Sequence, residues 1–377
     1  MSRPTAIRPK RFPWFDYTRY TFSLGLARQG EAWLSGHSAS EYDPGQRHIV
    51  VKGGMEQQCR TAYDKIGAIL EAAGLDLPDV HRVVEYVAVG GIDEYQSAAQ
   101  VRGELFGEHR PAVCTVVVNR LLRQQALIEI EMTAGKAGQP VDGGLDAGEL
   151  VYLSSLVSTE PKGDLPGQTE RIFERAASLL DAAGLDMTKV VKTVDYTTPA
   201  TLPDYKATGR VRRGFLGPVY PAAAGILLSR LQHANALISL DLIAHRGPAE
   251  AVNPGWDRYS KLTYSPAVRA GDLLFMSGQA ALDPQTERAL YPGDVAAQAD
   301  YTYSNVIEVL KAAGGGPDNL VKTIEYVTPS GLEGYREVAG VRERLLSEPY
   351  PASTGVVCES LLRPEFSFEV DPFAILS

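Results

Sequence analysis

The chain has 377 residues, of which 44% are hydrophobic and 22% charged, and its formal net charge is −9. This is an ordinary globular composition, and the negative charge, with no basic run, argues against nucleic acid as the main partner. The N-terminal segment lacks the apolar core of a signal peptide, no apolar run approaches the ~18 residues of a membrane span, and three scattered cysteines suggest neither disulfides nor zinc, so we expect a cytoplasmic protein.

One sequence block occurs three times, in copies that begin at Ile69, Leu179 and Val309. In each copy an amphipathic run ends at Ala-Ala-Gly, and a β-rich run then closes on an acidic residue and a tyrosine. Other residues recur at the same two spacings: Gln58, Gln168 and Gln298; Tyr86, Tyr196 and Tyr326; Tyr95, Tyr205 and Tyr335; Arg102, Arg212 and Arg342; Pro111, Pro221 and Pro351. Spacings of more than a hundred residues indicate a repeated domain and not a solenoid unit.

Residues 1–19 are predicted to form a basic, aromatic N-terminal arm that packs on the body or stays loose. The first repeat, residues 20–134, has a simple predicted order of elements. Its strands are predicted at 20–27, 31–37, 83–87, 112–118 and 126–133, its helices near 62–73 and 93–106, and a polar loop over 38–46. The order ββαβαββ predicts an α+β domain whose helices cover one face of a sheet.

Two segments rich in Gly, Pro or acidic residues, 135–147 and 245–261, are predicted to be linkers. They leave a second repeat at 148–244 and a third at 262–377. The second repeat is shorter near its start, because 14 residues separate Ser154 from Gln168, against 21 from Ser277 to Gln298. The middle repeat has therefore lost part of a loop that the outer repeats retain.

These residues resemble the Rid superfamily, the enamine/imine deaminases related to RidA and YjgF. The likeness is carried by GDLLFMSGQAALDP at 271–284, the Ala-Ala-Gly blocks, the Pro-Ala dipeptides at 111, 221 and 351, and the closing strands IEIEMTA and FEVDPFA. The resemblance implies a fold like bacillus-type chorismate mutase, assembled as a trimer with clefts between subunits. Three tandem copies then predict an intramolecular pseudo-trimer that is a monomer in solution.

The resemblance also implies site residues, with one departure from the family pattern. Active deaminases of the superfamily read Pro-Ala-Arg, and the guanidinium binds the substrate carboxylate. That arginine position is Val113, Ala223 and Ser353 here, and we take Ser353 as the place where restoring it would test the third repeat. The family's water-positioning glutamate matches Glu129 and Glu369, whereas the second repeat has Ser239.

Further candidates lie in turns and hairpins. The turns Ser35-Gly36-His37 and Ser277-Gly278-Gln279 are expected to face the clefts, and a histidine titrates near neutral pH. Arg363, Arg120 and Arg123 precede the last strand and are candidate replacements for the missing carboxylate anchor. A simpler interpretation of these residues is a polar turn and solvated arginines. We expect the recurring Arg102, Arg212 and Arg342 to pair with the strand acids Glu85, Asp195 and Glu325.

We therefore expect a small-molecule enzyme that performs hydrolysis or deamination with Glu369 or Glu129 as the water-activating group, without a metal or other cofactor. The third repeat keeps the fuller set of residues. One alternative is a chorismatase-like hydrolase or lyase acting on a cyclic carboxylate, and another is a non-catalytic ligand-binding or scaffold protein. A pocket with a buried, perturbed glutamate favours an enzyme, whereas clefts plugged by apolar side chains favour a scaffold.

Overall fold

The structure is a computed structural model that describes residues 3–136, 138–159 and 163–376. The described residues form six α-helices, two in each repeat. They are α1 Met55–Ala72, α2 Tyr95–Phe106, α3 Leu165–Ala182, α4 Thr208–Phe215, α5 Val295–Ala312 and α6 Val338–Leu345. The long helices α1, α3 and α5 end just before Gly74, Gly184 and Gly314, whose φ angles of 73°, 72° and 81° suit a glycine helix terminus.

The strands fall into three groups along the chain. The first group is β1 Thr5–Ala6, β2 Gly25–Arg28, β3 Glu31–Leu34, β4 His37–Ser38, β5 Ser40–Asp43, β6 His48–Val51, β7 Val80–Ala88, β8 Ala112–Val118, β9 Arg120–Leu121 and β10 Ile128–Gly135. The second is β11 Gln139–Val141, β12 Gly144–Asp146, β13 Leu150–Val157, β14 Val190–Thr197, β15 Ala222–Leu227 and β16 Ser239–His245. The third is β17 Ala249–Val252, β18 Ala267–Ala270, β19 Leu273–Met276, β20 Gln279–Ala280, β21 Leu320–Val327, β22 Ala352–Val357, β23 Ser360–Leu361 and β24 Phe368–Ile375.

The three main sheets share one topology. Their strand orders contain β2-β3-β10-β7-β8, β12-β13-β16-β14-β15 and β18-β19-β24-β21-β22. Only the last pair in each series is parallel, and the second helix of the repeat makes that crossover. The predicted α+β fold with tandem ββαβαββ units is thereby confirmed.

Short strands join neighbouring repeats. Strand β9 of the first repeat pairs with β22 of the third, and β23 of the third repeat pairs with β15 of the second. The sheets enclose a common core in which the recurring tyrosines Tyr86, Tyr196 and Tyr326 are buried, with 3.1 Å between the hydroxyls of Tyr196 and Tyr326. The repeats are therefore joined by shared sheet edges and by one shared core.

A ring of ion pairs surrounds a central cavity of about 80 Å³. Each pair links a cation of one repeat to an acid of the next: Arg82 to Asp241, Lys192 to Asp371, and Lys322 to Glu131. All six side chains are buried or nearly so. Because removing one partner of a buried pair costs about 3–5 kcal/mol, the ring favours this cyclic arrangement of the repeats.

The segments predicted to be linkers contain strands of the main sheets: β12 is an inner strand, and β11 and β17 are edge strands. Strands β11 and β12 extend the second sheet, and β17 extends the third. The predicted N-terminal arm likewise supplies β1 and packs aromatic side chains against the first core, and the predicted polar loop contains β5. The edge strands β11 and β17 are mostly exposed, so their composition resembles that of a loop. Residues 1, 2, 137, 160–162 and 377 of the predicted arm, linker, shortened loop and third repeat lie outside the described residues.

Among the described residues, no helix is both long enough and apolar enough to cross a lipid bilayer.

Candidate active site

A cavity of about 330 Å³ lies between the second and third repeats. The third repeat contributes Gly278 and Gln279, Glu369 from β24, and the segment 256–264. The second repeat contributes β15, from Ala223 to Gly225, and the start of α4. The middle repeat, which lacks the glutamate, therefore provides a wall of this cavity.

The turn before β20 fastens the two repeats together. The Ser277 hydroxyl donates to the carbonyl of Ser265 at 2.6 Å and accepts from the N–H of Ala223 at 2.8 Å. The N–H of Gly278 donates to the carbonyl of Ala223 at 3.0 Å. Ser277 is fully buried and does not line the cavity, and its hydroxyl positions the turn.

Glu369 lies directly over this turn. A Cβ at Gly278 would overlap Oε1 of Glu369 and would lie 3.1 Å from Cβ of Ala224, so the close approach requires glycine. The Glu369 side chain is buried, with the residue 7% exposed. Burial, together with the nearby Asp371, raises the pKa of Glu369 to about 8, although Lys192 opposes the shift. A carboxyl group with this pKa can accept and return a proton near neutral pH.

The cavity is strongly cationic. Glu369 is its only carboxylate among the described lining residues, and six others carry positive side chains: Lys206, Arg212, Arg213, Arg258, Lys261 and Arg363. Arg363, a predicted anchor, lies at the cavity and donates to the carbonyl of Glu287 at 2.7 Å. The charge of this cavity therefore suits an anionic ligand.

Arg212 has an additional structural role. It pairs with Asp195, and Tyr205 donates to the same carboxylate at 2.6 Å. The corresponding pairs Arg102–Glu85 and Arg342–Glu325 occur in the other repeats, which confirms the pairing predicted from the recurring arginines.

An aromatic wall of the cavity was missed in the sequence. Trp256, Tyr259 and Tyr264 line it, with ring centroids 5.9 Å apart for the first two and 5.5 Å apart for the last two. They lie in and just beyond a segment predicted to be a linker. A signal was present, because Trp14, Tyr17 and Phe22 precede Ser35 by the same numbers of residues as these aromatics precede Ser277.

A second cleft lies between the first and third repeats and has related geometry. The Ser35 hydroxyl donates to the carbonyl of Ser23 at 2.6 Å and accepts from the N–H of Ser353 at 2.8 Å, while Gly36 N–H donates to Thr354 Oγ1 at 2.9 Å. Burial, followed by Glu131, raises the pKa of Glu129 to about 8. Ser353 therefore accompanies Glu129, and the family's arginine position in the Glu369 cavity is Ala223.

The Glu129 cleft differs from the Glu369 cavity in the side chains that occupy it. Lys65 takes the place of Asn305, is fully buried, donates to the carbonyl of Ser38 at 2.6 Å and lies 5.4 Å from the Phe15 ring. Burial and then Lys65 lower the pKa of His37 to about 3, which favours the neutral imidazole near neutral pH.

The two other predicted arginines lie near this second cleft. Arg123 is exposed, and its charge lowers the pKa of Glu129, opposing the effect of burial. Arg120 is partly buried on β9, and its Nε donates to the carbonyl of Leu121 at 3.2 Å. Arg120 therefore serves the strand pairing with β22, and the structure gives it no contact with Glu129.

The third interface, between the first and second repeats, has neither the glutamate nor the glycine turn. The hydroxyls of Ser154 and Ser155 accept from the N–H groups of Val113 and Thr115, each at 3.1 Å. Ser239 stands where the other repeats carry the cleft glutamate. This interface holds strands together and has no carboxylate at the position of Glu129 and Glu369.

Comparison with known proteins identifies related sequences. The family model described as endoribonuclease L-PSP (Ribonuc_L-PSP) matches residues 17–136 and 258–376, more than half of the chain. A RutC family protein of Pyrococcus horikoshii is 41% identical over 87 residues, which are 23% of this chain and 67% of the relative. The mouse 2-iminobutanoate/2-iminopropanoate deaminase is 43% identical over 60 residues, or 16% of this chain and 44% of the mouse protein.

Solved structures are also similar to parts of the chain. A putative endoribonuclease of Thermotoga maritima is 31% identical, covers 36% of this chain and 93% of its own, and has a TM-score of 0.28. A RidA protein from an Antarctic Psychrobacter species is 31% identical, covers 30% and 89%, and has a TM-score of 0.28.

Proposed function

This chain belongs to the Ribonuc_L-PSP family, the Rid superfamily that its sequence resembles, and from that membership we propose that it hydrolyses the C=N bond of a small anionic imine between its second and third repeats. The observation that carries the proposal is Glu369, a buried carboxyl group with a raised pKa in a cationic cavity. The mouse relative, named as an imine deaminase, supports the same class of reaction.

The proposed reaction needs only water as co-reactant. The imine nitrogen is first protonated by solvent, and the Glu369 carboxylate then accepts a proton from water while the water oxygen bonds to the imine carbon and the C=N π electrons return to nitrogen. Glu369 then protonates the amine of the resulting carbinolamine, the C–N bond breaks, and loss of the hydroxyl proton leaves a carbonyl compound and ammonia. A pKa of about 8 lets one group perform both transfers near neutral pH.

The proposed cavity can bind an anionic substrate without an arginine at the family's usual position. Ala223 occupies that position in this cavity and leaves room beside β15, while cations approach from α4, the final hairpin and the segment before β18. An open, charged cavity with a perturbed acid favours an enzyme over the scaffold alternative.

A second candidate reaction is cleavage of a C–O bond in a cyclic carboxylate. The aromatic wall favours it, because Trp256, Tyr259 and Tyr264 provide an apolar surface for a ring. Glu369 in its protonated form would donate to the leaving oxygen.

Product analysis separates the two reactions. The purified protein is mixed with 2-imino acids generated in situ from alanine and from phenylalanine, and the imine decay and keto-acid release are followed. We expect both steps to be faster than without protein, with the aromatic imine preferred. An unchanged imine lifetime would reject deamination, and release of an alcohol or enol from a cyclic enol-ether carboxylate would support the second candidate.

A further inference from the structure

The segment before β18 brings one arginine into the cavity from an unexpected direction. Arg258 lies in a short helical turn, Asp257–Lys261, between two of the aromatic residues of the wall. The corresponding residue of the first repeat is Asp16, which caps a turn by accepting from the N–H of Thr18 at 3.2 Å and from its hydroxyl at 2.6 Å. A cation at this position is therefore specific to the Glu369 cavity.

The guanidinium of Arg258 is held but incompletely satisfied. It lies 5.0 Å from the centroid of the Tyr259 ring, a cation–π distance. Its Nε is buried and has no hydrogen-bond partner among the described residues. A buried donor without a partner is costly, and an anionic ligand would satisfy it.

Arg258 and the proposed catalytic group line the same cavity. Tyr264 lies near enough to Arg258, Glu369 and Arg212 that all three influence its pKa, which burial raises. Arg212 is engaged by Asp195, and Arg363 donates to the carbonyl of Glu287. Arg258 is thus a cavity cation whose buried Nε lacks a hydrogen-bond partner among the described residues, while its guanidinium also interacts with Tyr259 and Tyr264.

The second repeat adds to the same charge difference. Arg213, at the start of the cavity wall, corresponds to Glu343 in the third repeat, which forms the wall of the Glu129 cleft. Asp16 of the first repeat and Glu343 of the third therefore correspond to arginines that line the Glu369 cavity. The pattern indicates that one cleft has become specialised for an anion.

We propose that Arg258 binds the substrate carboxylate, in place of an arginine on the strand at Ala223, and that the adjoining aromatic wall selects a carboxylate carrying a planar ring. That the bound carboxylate is a substrate rests on the proposed function, whereas its binding to Arg258 does not. Trp256, Tyr259, Tyr264 and Phe366 supply the apolar surface, and Arg258 supplies a planar, bidentate donor set.

Calorimetric titration with benzoate, and with benzamide as its neutral analogue, tests the proposal. We expect the wild-type protein to bind benzoate, and Arg258→Gln to weaken benzoate binding at least tenfold while leaving benzamide binding within twofold. Arg258→Lys keeps the positive charge but loses the planar, bidentate guanidinium, so its affinity for benzoate should lie between those of the wild type and Arg258→Gln. Asp16→Asn, at the equivalent position of the first repeat, is the matched control expected to stay within threefold. Arg363→Gln removes another cation of the same cavity and should weaken benzoate binding less than Arg258→Gln does.

Three outcomes would overturn the proposal: wild-type protein that does not bind benzoate, equal benzoate affinity in wild type and Arg258→Gln, or an equal loss in Arg363→Gln. Benzamide binding and the melting temperature identify a variant that has simply misfolded, and Arg258→Lys then decides the role of the guanidinium. Glu369→Gln should retain benzoate binding, since it removes no anchor. A failed deaminase assay with intact Arg258-dependent binding would reject the catalytic proposal alone.

Discussion

The carboxylate of Glu369 lies against Gly278 so closely that a methyl group on Gly278 would overlap Oε1 of the glutamate. Gly36 and Glu129 have the same relationship in the first repeat. Glycine in these turns is therefore needed for the space that it leaves to a carboxylate, since neither residue has a positive φ angle.

Replacing this glycine tests that relationship. Gly278→Ala should displace the Glu369 carboxylate and reduce kcat/KM about as much as removing the carboxylate does, on the order of 10²-fold. Gly36→Ala is the matched control, because it creates the same overlap with Glu129 in a cleft to which we assign no catalysis. Steady-state kinetics of both variants test this prediction. Equal losses of kcat/KM in Gly278→Ala and Gly36→Ala would contradict the assignment of catalysis to one cleft.

The raised pKa of Glu369 predicts how stability depends on pH. Its pKa is about 8 in the folded protein against an ordinary value of 4.5, so between these pH values the folded state binds more protons than the unfolded state. The free energy of unfolding therefore falls as pH rises through this window. Glu369→Gln removes this pH dependence. The melting temperature of the variant should therefore exceed that of the wild type by a margin that grows from pH 4.5 to 8 and stays constant at higher pH. Thermal melts check this, with the exposed Glu365→Gln expected to follow the wild-type profile.

Much of the fold was predictable because all three repeats carry the same apolar pattern in the same register. The helix stripe around Ile66, Ile69 and Leu70 and the strand acids paired with arginines both depend on local spacing, which a sequence displays directly. Glu369 and Gly278 were likewise identifiable as candidates, because both belong to the third repeat and lie in its recurring sequence pattern.

The features that the sequence did not reveal depend on how the three repeats are arranged around the ring. Ala223 faces Glu369 although Ser353 belongs to the same repeat as Glu369, since each cleft combines two repeats. Arg258 was missed because its short helical turn lies in a Gly- and Pro-containing segment of linker-like composition. It lines the same cavity as Glu369 only because that segment packs beside the turn before β20.

The family's arginine can be restored at the position that faces Glu369. Ala223→Arg would bring a further cation beside Arg212 and Arg258 and would fill part of the cavity. We expect less than a threefold gain in hydrolysis of 2-iminopropanoate, and weaker binding of benzoate. Ser353→Arg, in the Glu129 cleft, is the control. A gain of 10²-fold or more in Ala223→Arg would show instead that the cavity is an ordinary deaminase site lacking one residue.

We propose that the chain is a monomer, because the three repeats already complete a ring. The ion pair between Lys322 and Glu131, with 3.2 Å between Nζ and Oε1, joins the third repeat back to the first. Sedimentation equilibrium should therefore give a mass near 40.8 kDa at micromolar concentration. A mass three times larger would show that the ring does not satisfy the chain's association surfaces.

The most direct test of the assigned site is the pair Glu369→Gln and Glu129→Gln, compared with wild type in the imine hydrolysis assay. Each change keeps the shape of the side chain and removes the group that exchanges protons. We predict a loss of kcat of roughly 10²-fold or more for Glu369→Gln, the usual scale of general acid–base catalysis, and less than threefold for Glu129→Gln. Equal losses in the two variants, or full activity in the variant lacking both glutamates, would contradict catalysis by Glu369 between the second and third repeats.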